Sequence, residues 1–320
     1  MRKIYTLTSA ILLLVIMMSS CASLPENDGS ISLPLTDTPV HISVTLGKNK
    51  KRIAVDCDVE MPDAPVSLSE GRINFSQDLY NKMCSVVVNS EENGDDLSFT
   101  ASGGVYYKHI LPTSSWTQPS LRSMFAYGYY EDNEGVGISA EESGESSAQY
   151  LAEFSGFDFR PYRVLSSYVS DKNYDADVQG QGQYTIYLQH ELDGVPFTTI
   201  CLPTECIYFD GSVRYFQGLI PYEPKSEKEV AEVVPLETIL DSIEQNTDEL
   251  LCYSNSNGVI YRIALEYYAT EIPADSGFPE FVYQPVWSFY GYNETSSGRI
   301  DWIITYYAEN GMLCNVELGR

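Results

Sequence analysis

Asp171, Asn173, Asp175 and Asp177 set four oxygen-bearing side chains at every second position, the spacing with which a calcium-binding loop begins. Such a loop also needs glycine at its sixth position and a bidentate glutamate at its twelfth, and this chain has Ala176 and Gly182 there. The other reading is a solvated acidic loop, and no metal is assigned. Asp56, Asp58 and Glu60 alternate on one strand and could hold a cation or act as paired acids, but charge on the outer face of a strand also serves solvation alone. His41, His109 and His190 are scattered without metal-ligand spacing, and neither a Gly-x-Ser-x-Gly elbow nor a Walker loop occurs. Gln179-Gly180-Gln181-Gly182 leads into an expected strand rather than a helix, which does not suit a phosphate cradle. Acidic residues are abundant enough that a glycoside hydrolase with two facing carboxylates stays open. No catalytic residue and no cofactor are expected.

Tyr283, Pro285 and Trp287 are the candidate ligand or partner surface. Proline lacks a ladder donor, so Pro285 inside an alternating run points to an edge strand or a bulge. Trp287 shares a strand face with Tyr283 and Phe289. That face is either a surface for a sugar ring or partner peptide, beside an edge open to strand addition, or a core face under a helix. With 25 tyrosines and 3 tryptophans in the chain, a carbohydrate-binding protein is one function class to carry.

The elements that must position these residues follow from periodicity. His41 to Leu46 and Arg52 to Met61 read as two strands around Gly47-Lys48-Asn49-Lys50. Ser76 opens a helix with Leu79, Met83, Val86 and Val87 on one stripe. Asp96 to Tyr130 mixes short strands and loops. Ser139 and Glu142 have capping-box spacing before Ala148, Leu151 and Ala152. Arg163 to Ser170, Gln183 to His190, Pro196 to Cys201 and Val213 to Ile220 read as strands, and Lys225 to Glu232 as a charged loop or helix lead-in. Pro235 suits the first helical position before Leu236, Ile239, Leu240 and Ile243. Val259 to Tyr268, Phe281 to Tyr290 and Ile300 to Tyr307, with a short run after Gly311, make an antiparallel meander. The expected fold is α+β: two helix-plus-meander units, 139–234 and 235–320, after a smaller β-rich unit at 41–138.

Residues 1–20 read as an export signal, and 21–40 as a flexible tether rich in Ser, Pro, Asp and Asn. Arg2 and Lys3 precede the apolar run Ala10 to Met18, which is too short to span a hydrocarbon core needing about 20 residues. Met18-Ser19-Ser20-Cys21 resembles a lipobox, the bacterial pattern whose cysteine is diacylated and becomes the mature N-terminus; a plain secretory cleavage near Ala22 is the alternative. With 45 acidic against 19 basic residues the chain carries a net charge of -26, and no basic cluster exceeds Lys48 to Arg52. Nucleic acid is therefore not an expected partner. Cys57, Cys84, Cys201, Cys206, Cys252 and Cys314 permit three disulfides, with Cys201 and Cys206 the one local candidate, but alternation with Ile53, Val55 and Val59 reads Cys57 as a buried thiol.

Leu265-Glu266-Tyr267-Tyr268, followed after a loop by Tyr283-Gln284-Pro285-Val286-Trp287-Ser288-Phe289, resembles the YycI and YycH extracytoplasmic regulators of a sensor kinase and related PepSY-like modules. Those regulators are usually held by a transmembrane helix rather than by lipid. The lipobox, Val55-Asp56-Cys57-Asp58-Val59 with Met61-Pro62-Asp63, the hairpin Leu192-Asp193-Gly194-Val195-Pro196 and Pro285-Val286-Trp287 together resemble a family of uncharacterised lipoproteins from Gram-positive gut bacteria. The resemblances imply a helix-covered antiparallel sheet and a non-catalytic binding or regulatory role. The expectation is a protein held on the extracytoplasmic face of the cell membrane by lipid on Cys21, with an envelope protein or a glycan as partner.

Overall fold

The computed structural model of the protein describes residues 40–47, 50–62, 68–88, 96–99, 105–108, 127–168, 180–202, 204–209, 211–219, 221–230, 232–252, 256–272, 280–296 and 298–319. All lie in one unit, Ser32–Arg320. The elements run β1 (Val40–Leu46), β2 (Ile53–Glu60), β3 (Ser69–Phe75), α1 (Gln77–Val88), β4 (Asp96–Phe99), β5 (Val105–Lys108), β6 (Tyr129–Tyr130), α2 (Ala140–Ala152), β7 (Asp158–Tyr168), β8 (Gly182–Leu192), β9 (Val195–Pro196), β10 (Thr204–Phe209), β11 (Ser212–Leu219), β12 (Tyr222–Glu229), α3 (Leu236–Leu250), β13 (Gly258–Ile272), β14 (Glu280–Thr295), β15 (Gly298–Tyr307) and β16 (Leu313–Gly319). The lipidation candidate Cys21 and the calcium candidates Asp171, Asn173, Asp175 and Asp177 lie outside the described residues.

Two eight-stranded sheets result. The first runs β1-β2-β13-β14-β15-β16, with β3 joining β14 and β12 joining β3; the second runs β4-β5-β11-β10-β8-β7-β6, with β9 on β8. The class is α+β, with mixed rather than purely antiparallel sheets: β2 lies parallel to β13 and β6 parallel to β7. The last meander is present, but its sheet also takes strands from 40–75 and 222–229. Lys225 to Glu232, expected as a loop or helix lead-in, is largely strand β12, whose alternating charges pair with β3 through Arg72–Glu227 at 3.1 Å and Lys228–Glu70 at 3.1 Å. Pro196 to Cys201 is mostly turn, closed by the Cys201 N–H on the Thr198 carbonyl at 2.8 Å, and the strand falls later, at β10.

Each sheet has its helix. On α2, Ala140, Ser143, Gly144, Ser147, Ala148 and Leu151 are buried, at i, i+3, i+4, i+7, i+8 and i+11. They pack with Val164, Ile186, Cys206 and Phe216 of the second sheet. The expected capping box is formed: Ser139 Oγ accepts from the Glu142 N–H and the Glu142 carboxylate accepts from the Ser139 N–H, at 3.1 and 3.0 Å. Replacing Ser139 by Ala is expected to lower stability by about 1 kcal/mol in urea unfolding, because one helix-terminal N–H loses its acceptor. Helix α3 starts one residue after Pro235, and Ile239 and Ile243 pack on the first sheet among Ile53, Val55, Ile263, Trp287 and Phe289.

Candidate functional site

Strand β13 is where the two faces of the first sheet take on different chemistry. Ile260 pairs with Gly291 and Arg262 with Tyr290, so Tyr261 is an extra residue, a β-bulge. The bulge turns Arg262 away from α3. From there Ile263, Leu265 and Tyr267 face the helix-covered core, while Arg262, Ala264 and Glu266 face the second sheet. Arg262 is 3% and Glu266 0% exposed, so the ion pair between them, 2.8 Å from Nη1 to Oε1, is fully withdrawn from water. The Arg262 Nε and Nη2 also donate to both oxygens of Glu60 on β2, at 3.0 and 2.9 Å.

Every side of this pair is occupied. Tyr290 Oη donates to Glu266 Oε2 at 2.8 Å, and Gln189 Nε2 of β8 donates to Glu266 Oε1 at 3.0 Å. The guanidinium carbon sits 3.7 Å from the ring centre of Tyr127 and 4.4 Å from that of Tyr290, a cation between two π-faces. Burial works against the charge on Arg262, and Glu266 first, then Tyr290, Tyr127 and Glu60, more than restore it; the guanidinium stays cationic. Burial, with Glu266 beside it, pushes the Tyr290 phenol well up.

The cluster forms one wall of a cleft of about 170 Å³, lined by Glu60, Met61, Pro62, Arg160, Glu191, Gly194, Pro196, Arg262, Ala264 and Leu265. The cleft lies where β13 changes neighbours. Its register with β2 ends at Ala264↔Glu60, and beyond it the Thr198 N–H meets the Tyr267 carbonyl at 2.8 Å beside the Phe197↔Tyr267 bridge. Arg160 stands exposed at the mouth on β7. What the sequence offered as a signal was an Arg and a Glu four positions apart inside the apolar run of β13; Tyr127 lies in a stretch with no clear period.

Tyr283, Pro285 and Trp287 are not at a surface. Tyr283 is 1% and Trp287 5% exposed, and Trp287 Nε1 donates to the Val234 carbonyl at 3.1 Å, just ahead of α3. Tyr283 packs edge-on to Tyr267 with ring centres 5.1 Å apart. Nor is β14 an edge strand. On one side Glu280–Asn293 pair with β13; on the other, Phe281–Tyr283 pair with β3 and Val286–Thr295 with β15. Pro285 sits at that fork. Its carbonyl accepts from the Ala308 N–H at 2.9 Å, so its nitrogen faces the same break, where the ladder asks for no donor. The fork opens a second cleft of about 270 Å³, bordered by Glu70, Gln284, Pro285, Tyr307 and Glu309.

The remaining sequence candidates are separated. Asp56 and Asp58 are exposed on β2, where the two ring nitrogens of His41 lie 3.0 and 2.9 Å from their carboxylates, while Glu60 turns to Arg262. Among the described residues no group of three or more His, Cys, Asp and Glu side chains is placed to hold a metal ion. Cys201 and Cys206 are buried free thiols, the first against Thr198 and Ala269 and the second near Ser147. His190 is buried between Phe157 and Phe159, and burial lowers its pKa to about 3, opposed by a backbone hydrogen bond at Leu202. An unfolded imidazole takes up its proton near pH 6.5. Between that pH and about 3 the unfolded chain binds a proton that the folded chain refuses, so His190 contributes stability above pH 6.5 that is lost as pH falls through the window. Urea unfolding of His190→Leu at pH 7 and pH 4 is expected to show a smaller acid-side loss than the parent.

No family model matches the chain, and no curated protein matches it. Among solved structures it is similar to an uncharacterised protein from Eubacterium rectale, at 14% identity and a TM-score of 0.60 over 86% of this chain and 94% of that one. That likeness is one of fold. The C-terminal domain of YpeB from Bacillus megaterium also aligns, at 13% identity and a TM-score of 0.28 over 77% of this chain and 99% of that one.

Proposed function

We propose that the chain is a non-catalytic binding or regulatory module, held on the extracytoplasmic face of the cell membrane by lipid on Cys21, that presents the inter-sheet cleft to an envelope protein. The observation that carries this reading is the Arg262 cluster. Two carboxylates and two aromatic rings hold one guanidinium, which gives the cleft a set shape before any partner arrives, and preorganisation of that kind favours recognition. Burial raises the thiol pKa of Cys57 to about 11 and of Cys201 and Cys206 to about 12, so these groups are protonated and poor nucleophiles at neutral pH. The exposed Arg160 offers the partner's acidic group a contact. The finer reading, a PepSY-like regulator of the YycI and YycH kind, rests on Leu265 and Trp287 being direct partners on adjacent antiparallel strands under α3.

A photo-crosslinking residue at position 160 of the full chain, in its own membrane, is expected to capture one envelope protein that the same residue at the exposed Glu294 does not. Turnover of glycan or peptide by the purified chain, abolished by Glu60→Gln, would replace this reading with an enzyme. Capture of glycan alone would move it to a carbohydrate-binding surface protein, which has lost its aromatic surface at Tyr283 and Trp287. Among the described residues no helix is long and apolar enough to cross a membrane, and attachment is tested directly: Cys21→Ala is expected to lose incorporation of a fatty-acid label and to leave the membrane fraction.

A further inference from the structure

The inter-sheet cleft opens on a gap in a hydrogen-bond ladder. The Tyr267 carbonyl accepts from the Thr198 N–H at 2.8 Å, on the edge of β13 that faces β2. Leu265, two positions earlier, turns its carbonyl to the same edge. The parallel register Ala264↔Glu60 makes position 62 the next donor for that carbonyl, and Pro62 has no N–H to give. The ladder stops there. The Leu265 carbonyl is left facing the cleft, which Leu265 and Pro62 both line. Charge is graded across the same space. Arg262 is one cation held by two carboxylates, Glu60 and Glu266, so this wall keeps one negative charge, and Glu191 adds another. The side chain of Glu60 is 37% exposed, so its remaining lone pairs can take a donor. At the mouth the sign reverses with the exposed Arg160. Met61, Pro62, Pro196 and Ala264 make the rest of the lining apolar.

We infer that the cleft takes a free α-amino acid with a short aliphatic side chain, its ammonium turned inward to the Leu265 carbonyl and Glu60 and its carboxylate outward to Arg160. The inference rests on the reading of the cleft as a recognition site and names what fills it. An ammonium group brings three donors, and the open carbonyl, Glu60 and Glu191 bring acceptors to meet them. A plain anion would face both glutamates on a chain whose net charge is -26, and a plain amine would leave Arg160 unanswered. Size points the same way. A cleft of about 170 Å³ lies below the roughly 300–1,000 Å³ of sites for drug-sized ligands, which suits a molecule of few heavy atoms with its side chain on Met61 and Pro62. The ligand's carboxylate takes the contact on Arg160 that a partner's acid would make, so ligand and partner compete for one guanidinium.

The test is isothermal titration of the full chain, purified in detergent, with L-leucine, with isocaproate, which lacks the amine, and with isoamylamine, which lacks the carboxylate. Leucine is expected to bind, and each analogue to bind about tenfold more weakly or worse, the cost of leaving a charged partner unmet. Arg160→Gln, at an exposed site, is expected to weaken leucine by about the same factor, to leave isoamylamine as it was and to keep the parent melting temperature. Pro62→Ala returns an N–H to the ladder and is expected to weaken leucine and isoamylamine together. No binding of leucine, an analogue that binds as tightly as leucine, or unchanged leucine binding in Arg160→Gln would overturn the inference. Capture of an envelope protein at position 160 by a chain that binds no leucine would remove the ligand and keep the partner, and leucine binding without such capture would do the reverse.

Discussion

Replacing Arg262 by alanine is expected to cost about 3–5 kcal/mol of folding stability, because it leaves the Glu266 carboxylate buried without its counter-charge. Glu266 is wholly enclosed, and Tyr290 and Gln189 would keep donating to it, but two neutral donors do not replace a cation at 2.8 Å. Glu60 would lose less, since its side chain is 37% exposed and water can take the place of the guanidinium. Replacing Arg262 and Glu266 together by leucine is expected to recover much of the loss, because two desolvated charges are then removed rather than one. Urea unfolding of the parent, Arg262→Leu, Glu266→Leu and the double variant closes the cycle. If the single substitution cost less than 1 kcal/mol, the pair would not be the buried network that shapes the cleft.

Truncating Trp302 to alanine is expected to cost about 3–5 kcal/mol, the range for a buried aromatic whose site cannot collapse. Trp302 is fully buried on β15, and its Nε1 donates to Asn293 Oδ1 at 2.7 Å; Asn293 in turn donates to the carbonyls of Ser256 and Asn257 at 3.1 and 2.8 Å. The ring lies across Gly291, its cross-strand partner, and a methyl group at Gly291 would overlap its six-membered ring. Gly291→Ala alone is therefore expected to cost about 1–3 kcal/mol by overpacking, and far less in the Trp302→Ala background, where the obstacle is gone. Thermal and urea unfolding of the four proteins reads this coupling directly. Additive costs would mean that the two residues do not share the space the structure gives them.

Much of the fold was legible wherever the deciding interaction is local. The capping box at Ser139 and Glu142, the stripe from Leu236 to Ile243 and the antiparallel pairing of β1 with β2 are read from residues close in sequence, and all are present. The alternation in β13 to β15 was legible too, but the face that Arg262 takes was not. A strict period of two keeps Ile260, Arg262 and Ala264 together, and the bulge at Tyr261 separates Ile260 from the other two. Burial of Tyr283 and Trp287 was one of two open readings, and only the placement of α3 and of Phe197 decided it.

By itself the sequence determined the class, the helices with their starts, most strands, the acidic surface and the absence of a familiar catalytic motif, because each follows from composition or from neighbours within a turn or two. Tertiary structure alone decided that β12 is a strand, that β14 forks at Pro285, and that β2 lies parallel to β13. It also decided that Glu60 and Arg262, 202 positions apart, meet above Glu266. Those outcomes depend on which distant strand occupies each edge, a choice made by the summed burial and hydrogen bonding of the whole sheet and by no local stretch of it.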